Sequence, residues 1–217
     1  MPIDRSGVPF LVAAAIPAVA LVVLDLLWWA VPFVIVSGVF LFFFRDPPRH
    51  PPRAKGLVLA PADGRILVAG EVVSGDPPEG TWWQVSIFLS PIDVHINRVP
   101  IGGEVTHVHR QSGKFLAAYR SEASSSNERT EVAFRHNDVV IVCRQIVGVL
   151  ARRIVCRVSV GHEVQAGDRF GIMKFGSRID LFIPRTATIA VVPGQRVRGG
   201  ESVVARLPGY EKPEGGL

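Results

Sequence analysis

A Gly–Ser bond near the end of the chain has the residue types for an unusual self-modification. Gly176 and Ser177 lie between two strand-like apolar runs, 170–173 and 180–183. Glycine tolerates strained backbone, and a serine hydroxyl that follows it can attack the preceding carbonyl carbon. This N-to-O acyl shift gives an ester, β-elimination gives dehydroalanine, and hydrolysis gives a pyruvoyl group and ammonia. The two residues taken alone are equally compatible with an ordinary turn.

Three other polar segments offer partners for such a serine. Asp63 lies in a Pro-Ala-Asp-Gly turn, and His95 lies in segment 90–100 between two prolines. The triplet Asn-Glu-Arg occupies 127–129. The presence of these three segments favours the self-modification over an ordinary turn. The alternatives are an aspartate that stabilises its own turn and a histidine satisfied within a turn.

The motifs together resemble the phosphatidylserine decarboxylase family in its short form. Phe-Phe-Arg-Asp-Pro at 43–47, the Asp63 turn, segment 90–100, the triplet and Phe-Gly-Ser ending at Ser177 occur in the family's order. The resemblance covers about residues 40–185. It implies that Ser177 is the precursor of a covalent pyruvoyl group. It also implies cleavage between Gly176 and Ser177 into a β-subunit, 1–176, and an α-subunit, 177–217, which stay together.

The resemblance further implies a reaction and roles for two residues. The ketone would form a Schiff base with the serine amine of phosphatidylserine, CO2 would leave, and phosphatidylethanolamine would be released. Asp63 matches the family's self-cleavage aspartate, and His95 matches its active-site histidine. Longer family members have a second histidine where this chain has Arg98, which stays protonated and cannot be a base. Either His95 therefore serves both steps or another group activates Ser177.

Three side chains are candidates for substrate binding. Arg98 could steady an oxyanion or bind the phosphate or carboxylate of the lipid, and Arg178 could pair with the headgroup. Asn127 of the polar triplet is the third candidate. His107 and His109 share one face of a strand-like run, but no third ligand is apparent, so the sequence predicts no metal site.

The sequence around these residues predicts a series of short β-strands. They are rich in Val and Ile and bounded by Gly, Pro, Asp or Asn, at 57–59, 65–73, 82–89, 104–109, 131–134, 139–149, 153–160, 170–173, 180–183 and 188–192. A G-x-x-V-x-x-G-[DE] unit at 161–168 recurs at 194–201 and resembles the paired units of biotinyl and lipoyl carrier domains. The sequence therefore predicts a mainly β, barrel-sandwich-like domain. Segment 112–128 is the one weak helix candidate.

The N-terminus predicts a hydrophobic helical hairpin. Residues 8–44 contain one charge, Asp25, which favours two helices, 8–24 and 26–44, that turn near it. Basic residues flank both ends, so both ends are expected in the cytoplasm. The predicted organisation is a membrane-anchoring hairpin, 1–44, and a catalytic domain, 45–217, on the cytoplasmic face of the inner membrane. A shallow interfacial hairpin is the alternative.

Composition restricts the partners. Hydrophobic residues make up 48% of the chain, which excludes a disordered protein, and two cysteines exclude a disulfide scaffold. The net charge is +5, and residues 1–44 have −1, so the rest has +6. A basic domain suits an anionic lipid surface, and the absence of a Lys/Arg stripe with aromatics argues against nucleic acid. The expected partners are phosphatidylserine, the membrane surface and the chain's own two fragments, as a heterodimer that can assemble further.

Two other functions stay open at this point. A membrane-tethered barrel-sandwich adaptor without catalysis would explain the repeated unit and the hairpin, but not Ser177 with Asp63 and His95. A membrane serine hydrolase would use Ser177 directly, although no G-x-S-x-G motif is present. Whether the purified chain is cut distinguishes the three functions, because only the decarboxylase is expected as two fragments.

Overall fold

The structure is a computed structural model that describes residues 2–73, 76–120, 122–149, 153–174 and 177–210. The chain divides into two units, Met1–Pro48 and Arg49–Leu217. The helices are α1 Val8–Val23, α2 Leu27–Phe43 and α3 Ala123–Ser126. The strands are β1 Leu57–Leu59, β2 Gly64–Glu71, β3 Trp82–Leu89, β4 Ile96–Arg98, β5 Gly103–Gln111, β6 Arg129–His136, β7 Val139–Val147, β8 Ile154–Cys156, β9 Glu163–Val164, β10 Arg169–Met173, β11 Ser177–Pro184, β12 Thr188–Ile189, β13 Arg196–Val197 and β14 Val203–Arg206.

The first unit is a pair of packed helices, which confirms the predicted helical hairpin. The turn between α1 and α2 contains Asp25 in the left-handed region, with φ of 59°. Small residues are buried in the unit, namely Ala14, Ala18 and Ala30, and most large apolar side chains of both helices face outward. Small residues let two helices approach closely, and an outward apolar surface is typical of helices in lipid.

One helical stretch, Arg5–Val23, is long and apolar enough to cross a membrane. The second apolar helix, Leu27–Phe43, has 17 residues and is shorter than that criterion. Trp28 and Trp29 follow the turn and are 89% and 71% exposed. Tryptophan favours the bilayer interface, so these two residues mark one end of the hairpin as the part that would meet headgroups.

The second unit consists of antiparallel sheets around one core, as the mainly β prediction requires. The largest sheet has the strand order β13-β2-β3-β11-β7-β6-β5-β9. Two three-stranded sheets have the orders β4-β10-β8 and β1-β14-β12. Alternation along β11 places Ile179, Leu181 and Ile183 in the main core and turns Arg178 and Asp180 to the opposite face of the sheet. Below, the eight-stranded sheet is called the large sheet, and β4-β10-β8 is called the small sheet.

Three neighbouring strands of the large sheet connect directly to the three strands of the small sheet. β3 leads into β4, β10 leads into β11, and β7 leads into β8. The order β3-β11-β7 in one sheet is matched by β4-β10-β8 in the other, so the β10–β11 connection is the central one. The start of β11 is therefore surrounded by chain on both sides, and Ser177 is its first residue.

The repeated unit has the same backbone conformation in both copies. Gly161 and Gly167 have φ of 86° and 88°, and their counterparts Gly194 and Gly200 have 88° and 77°. The valine of each copy lies in a short strand, β9 or β13. These two strands are the opposite edges of the large sheet, so each copy of the repeat contributes one edge strand.

Several strand boundaries differ from the predictions. Segment 112–128 contains only the short helix α3, and the predicted strand 153–160 ends at Cys156. Strands β4, β9, β13 and β14 were not predicted, because β9 and β13 have two residues each and β4 has three, too few to show alternation. β11 begins at Ser177 rather than at 180. Its first residues are polar, but Arg178 and Asp180 are buried and bond to each other instead of facing solvent.

Candidate active site

Ser177 is the first residue of β11, one of the two central strands of the large sheet. It pairs with Leu89 of β3 and with Val147 of β7, and it is fully buried. Its hydroxyl oxygen has no hydrogen-bond partner among the described residues. Buried polar groups are nearly always paired, so this hydroxyl is a candidate for a functional role. Gly176, on the other side of the predicted cleavage point, lies outside the described residues.

His95 lies beside the strand that leads to Ser177. It directly precedes β4, is fully buried, and accepts a backbone hydrogen bond from Met173 at the end of β10. Its Nδ1 is 2.9 Å from the carbonyl oxygen of Asp93. A carbonyl only accepts, so Nδ1 donates to it, and in a neutral ring Nε2 is then the basic nitrogen. The local backbone thus favours the tautomer in which Nε2 can take part in proton transfer.

The two sheets turn the polar residues of this region towards one interior. His95, just before β4, and Asn97, within it, alternate with Ile96, and Asn97 is paired with Gly171 of the small sheet. A Cβ added at Gly171 would lie 2.8 Å from Nε2 of Gln145, a side chain of the large sheet. Gln145 and Ser177 share a face, because Gln145 pairs with Ile179 two residues further along β11. The structure therefore brings His95 and Ser177 to the same interior.

Asn97 and Gln145 are polar residues of this interior that the sequence did not single out. Gln145 Nε2 donates to Asn97 Oδ1 at 2.6 Å, and both residues are fully buried. Their signal in the sequence is weak: Gln145 interrupts an apolar strand run, and Asn97 lies two residues after His95. Nothing in the sequence shows that residues so far apart meet.

Asp63 belongs to a separate ion-pair cluster. Its Oδ2 accepts from Arg49 at 2.7 Å, and its Oδ1 accepts from the backbone of Gly199 at 2.8 Å. Arg49 also donates to Glu201 at 3.1 Å. Burial alone would lower the pKa of Arg49, but the two carboxylates raise it above its ordinary value. Burial alone would raise the pKa of Glu201. Its hydrogen bonds with His50 and Arg49 lower that pKa by more, so the pKa lies below its ordinary value.

The sheet register sets the separation between Asp63 and Ser177. Phe88 of β3 pairs with Arg65 on one side and with Arg178 on the other, so β2 and β11 are two strands apart. Two inter-strand spacings amount to about 10 Å. The carboxylate of Asp63 bonds to Arg49 and Gly199, and no hydrogen bond joins it to Ser177 among the described residues. Its role in self-cleavage stays a prediction.

Replacing Asp63 by asparagine is expected to slow self-cleavage by roughly tenfold or more, because the tuning carboxylate is lost while Oδ1 still accepts from Gly199. Glu201→Gln is the matched control, since it removes an ion pair from the same arginine and is expected to cleave normally. Gel analysis of the fraction cleaved against time measures both. Equal slowing in the two variants would mean that Asp63 acts only by holding Arg49.

Two of the substrate-binding candidates are bonded within the protein. Arg98 donates through Nη1 to the carbonyl of Gly167 at 3.0 Å and lies on the face of β4 opposite to His95. Asn127 donates through Nδ2 to the carbonyls of Leu116 and Val147, at 2.8 Å each. Val147 is the cross-strand neighbour of Ser177, so Asn127 supports the serine from the segment before β6. Contact of either residue with a substrate stays a prediction.

Arg178, the third candidate, belongs to a buried polar group on the outer face of the large sheet. Its Nε donates to Asp180 Oδ1 at 2.6 Å, and its Nη2 donates to Ser86 Oγ at 2.9 Å. Ser124 donates to the other oxygen of Asp180 at 2.6 Å. Arg178 is 2% exposed and faces away from the interior of His95 and Ser177. A role in headgroup binding therefore stays a prediction, and its visible role is to link β11 to β3.

The remaining reactive side chains give no competing centre. Cys143 lies in the main core, and burial raises its pKa well above the ordinary thiol value, which disfavours the nucleophilic thiolate. The rings of His107 and His109 stack at 6.0 Å. In the part of the chain that the structure describes, no group of three or more His, Cys, Asp or Glu residues could hold a metal ion.

The fold and the candidate site define a β-rich protein with a buried serine, Ser177, at the start of a central strand and a buried histidine, His95, beside the strand that leads to it. The family model described as phosphatidylserine decarboxylase matches residues 36–205. The phosphatidylserine decarboxylase proenzyme of Pelodictyon phaeoclathratiforme is 44% identical over 201 residues, 91% of this chain and 93% of that protein. The proenzyme of Granulibacter bethesdensis is 45% identical over 92% of this chain and 83% of its own length.

A third relative gives the same result. The proenzyme of Mycolicibacterium smegmatis is 42% identical over 95% of this chain and 90% of its own length. The chain belongs to the phosphatidylserine decarboxylase family. The resemblance found from five short motifs is thereby confirmed, together with the class of enzyme, a lyase made as a proenzyme that uses a serine-derived pyruvoyl group. A non-catalytic adaptor and a serine hydrolase are not supported.

Proposed function

We propose that this chain cleaves itself between Gly176 and Ser177 and then decarboxylates phosphatidylserine to phosphatidylethanolamine at a membrane surface. The observation that carries this proposal is the Ser177 hydroxyl, which is buried and without a described partner at the start of the central strand. A serine that only stabilised a turn would bond its hydroxyl to nearby backbone. Family membership supplies the substrate and the reaction.

Self-processing converts one peptide bond into two new ends. Ser177 Oγ attacks the carbonyl carbon of residue 176, the amide becomes an ester, and the amine of Ser177 is released. Removal of the Ser177 α-proton expels the new carboxylate of residue 176 and leaves dehydroalanine. Dehydroalanine is an enamine, and its imine tautomer is hydrolysed by one water. Ammonia leaves, and the ketone of the pyruvoyl group remains. His95 Nε2 is the group proposed to move protons in the decarboxylation, and Asp63 is proposed to tune cleavage.

The residues around Ser177 fit a pyruvoyl group. The ketone would replace a buried residue whose strand neighbours are Leu89 and Val147, so bulk water is kept away from it. When formed, the group supplies an electron sink for the electron pair left by CO2. His95 is proposed to hold the proton that the product carbon takes up. Arg98, Arg178 and Asn127 remain candidates for headgroup contacts, directly or after rearrangement at the cut ends.

The strand pairing keeps the proposed fragments together after cleavage. The α-fragment begins at Ser177 and contributes β11, β12, β13 and β14. β11 lies between β3 and β7, β13 pairs with β2, and β14 pairs with β1. Separation of the fragments would expose the backbone hydrogen bonds of four β-fragment strands at once. The functional unit is therefore proposed to be the heterodimer of the two fragments.

The N-terminal unit is proposed to anchor the enzyme. Its outward apolar side chains suit lipid, and the basic residues at its ends favour a cytoplasmic position for both ends. The net charge of +6 in residues 45–217 suits an anionic lipid surface, which phosphatidylserine itself supplies. The catalytic unit is therefore proposed to act at the cytoplasmic face of the inner membrane.

Intact-mass spectrometry of the purified protein tests the proposed function. Two fragments are expected, and the α-fragment should be lighter than a 177–217 peptide with an N-terminal serine by the mass of one ammonia. The same preparation should release CO2 from phosphatidylserine in detergent micelles. An uncut chain with full activity would contradict the proposal, and labelling of Ser177 by a fluorophosphonate in an uncut chain would favour a hydrolase.

A further inference from the structure

Two buried side-chain amides connect the small sheet to the large sheet near Ser177. Gln145 Nε2 donates to Asn97 Oδ1, which leaves Asn97 Nδ2 and Gln145 Oε1 buried and without a partner among the described residues. Exchanging the oxygen and nitrogen of both amides leaves the same result, one unused donor and one unused acceptor. Since buried polar groups are nearly always paired, this pair is built for a third group.

Ser177 is the third polar residue of this interior with an unused atom. Six buried side-chain atoms lack a partner in the described parts of the chain, and three of them belong to Asn97, Gln145 and Ser177. The register makes Gln145 and Ser177 diagonal neighbours on one face of adjacent strands. Diagonal neighbours are about 7–8 Å apart, within reach of a long side chain. The register thus places the serine within side-chain reach of the amide pair.

We propose that the Asn97–Gln145 pair positions the Ser177 hydroxyl for self-cleavage, an inference that rests on the proposed function. A hydroxyl has one donor and two acceptor lone pairs, which complements the unused acceptor and donor of the pair. Gln145 Oε1 accepts a hydrogen bond from the hydroxyl and Asn97 Nδ2 donates one to its oxygen, through one buried water, since no direct hydrogen bond joins these atoms in the described structure. Both amides act as positioning residues, since they orient the nucleophile and form no covalent bond.

The glycine opposite the pair supports a role beyond joining the sheets. Gly171 lies in the middle of β10, and a Cβ there would lie 2.8 Å from Gln145 Nε2 and 2.5 Å from the carbonyl of Val155. A glycine in a strand interior weakens the strand and often marks a close approach. Two apolar side chains could join the sheets without leaving polar atoms unsatisfied. The chain instead keeps both amides and makes room for one of them.

The rate of self-cleavage in newly synthesised protein tests the inference. Asn97→Leu and Gln145→Leu are expected to slow the appearance of the two fragments by about 10- to 100-fold, because the nucleophile loses its orientation. Gln84→Leu is the matched control: Gln84 is a fully buried amide of the large sheet on the face opposite to Ser177, and its Oε1 accepts from Val73. The control is expected to cleave at the wild-type rate.

A rescue experiment separates positioning from stability. The exchange variant with Asn97→Gln and Gln145→Asn keeps both amides and their summed length, and it is expected to recover most of the cleavage rate of wild type. Melting temperatures of all variants are measured beside it. If Asn97→Leu does not fold, Asn97→Asp, which keeps the acceptor and removes the donor, is used and should cleave slowly.

Three results would overturn the inference. One is a folded Asn97→Leu variant that cleaves at the wild-type rate, and another is a Gln84→Leu control that is slowed as much as the test variants. In both cases the wild type still cleaves, so the proposed function stands without the positioning pair. The third is a wild-type chain that never cleaves, which removes the proposed function and the inference together.

Discussion

Replacing Ser177 by alanine is expected to leave one uncut chain of 23.6 kDa without decarboxylase activity. The variant lacks the oxygen that must attack the preceding carbonyl, so neither the break nor the ketone can form. Alanine differs from serine by one buried oxygen atom, so the variant is expected to fold and to be recovered as the intact proenzyme.

The control for this prediction is another buried serine of the same sheet. Ser86 lies on β3 opposite Asp180, and its hydroxyl accepts from Arg178 on the outer face. Ser86→Ala should therefore lose some stability and still cleave. Intact mass and urea unfolding of both variants give the answer. A Ser177→Ala chain that appears as two fragments would exclude this serine as the nucleophile.

Replacing His95 by alanine is expected to lower the decarboxylation rate by about 10²–10⁴-fold. The hydrogen bond from Nδ1 to the carbonyl of Asp93 leaves Nε2 as the nitrogen that can gain and lose a proton, and the side chain is fully buried. Alanine removes the proton carrier at the carbon that loses CO2. The measurement is the release of CO2 from phosphatidylserine, expressed per mole of cleaved α-fragment.

Normalising to the cleaved fragment separates the two steps that His95 could serve. A variant that cleaves normally and decarboxylates slowly limits His95 to the second step and assigns Ser177 activation to another group. A variant that does neither indicates both roles. His136→Ala is the control, because its Nδ1 also lies against a backbone carbonyl, that of Gly102, on a different edge of the fold. Normal cleavage and decarboxylation by His95→Ala would show that its assigned role is wrong.

Much of the architecture could be predicted because it depends on local pattern. The helices end within a residue of the predicted limits, since the apolar runs and Asp25 define them without reference to other segments. Strands β1 and β3 match their predictions, because turn residues bound their apolar runs. The five motifs identified the family, and the family identified Ser177, His95 and Asp63 as candidates.

What could not be predicted depends on contacts between distant segments. A serine, an arginine and an aspartate at the start of β11 suggest solvent, but Arg178 and Asp180 pair with each other beneath Ser124. The Asn97–Gln145 contact joins two sheets whose relative placement no local pattern specifies. The same holds for Arg98, whose turn towards Gly167 follows from its position in a strand of three residues.

The central position of β11 has a consequence for the lifetime of the enzyme. The ketone is covalently part of a strand that is paired along both edges, so it cannot dissociate and be replaced as a soluble coenzyme can. If that ketone were converted to an amine, the molecule that carries it would be permanently inactivated. Capacity for making phosphatidylethanolamine is then renewed only by ribosomes, one new polypeptide for each lost active centre.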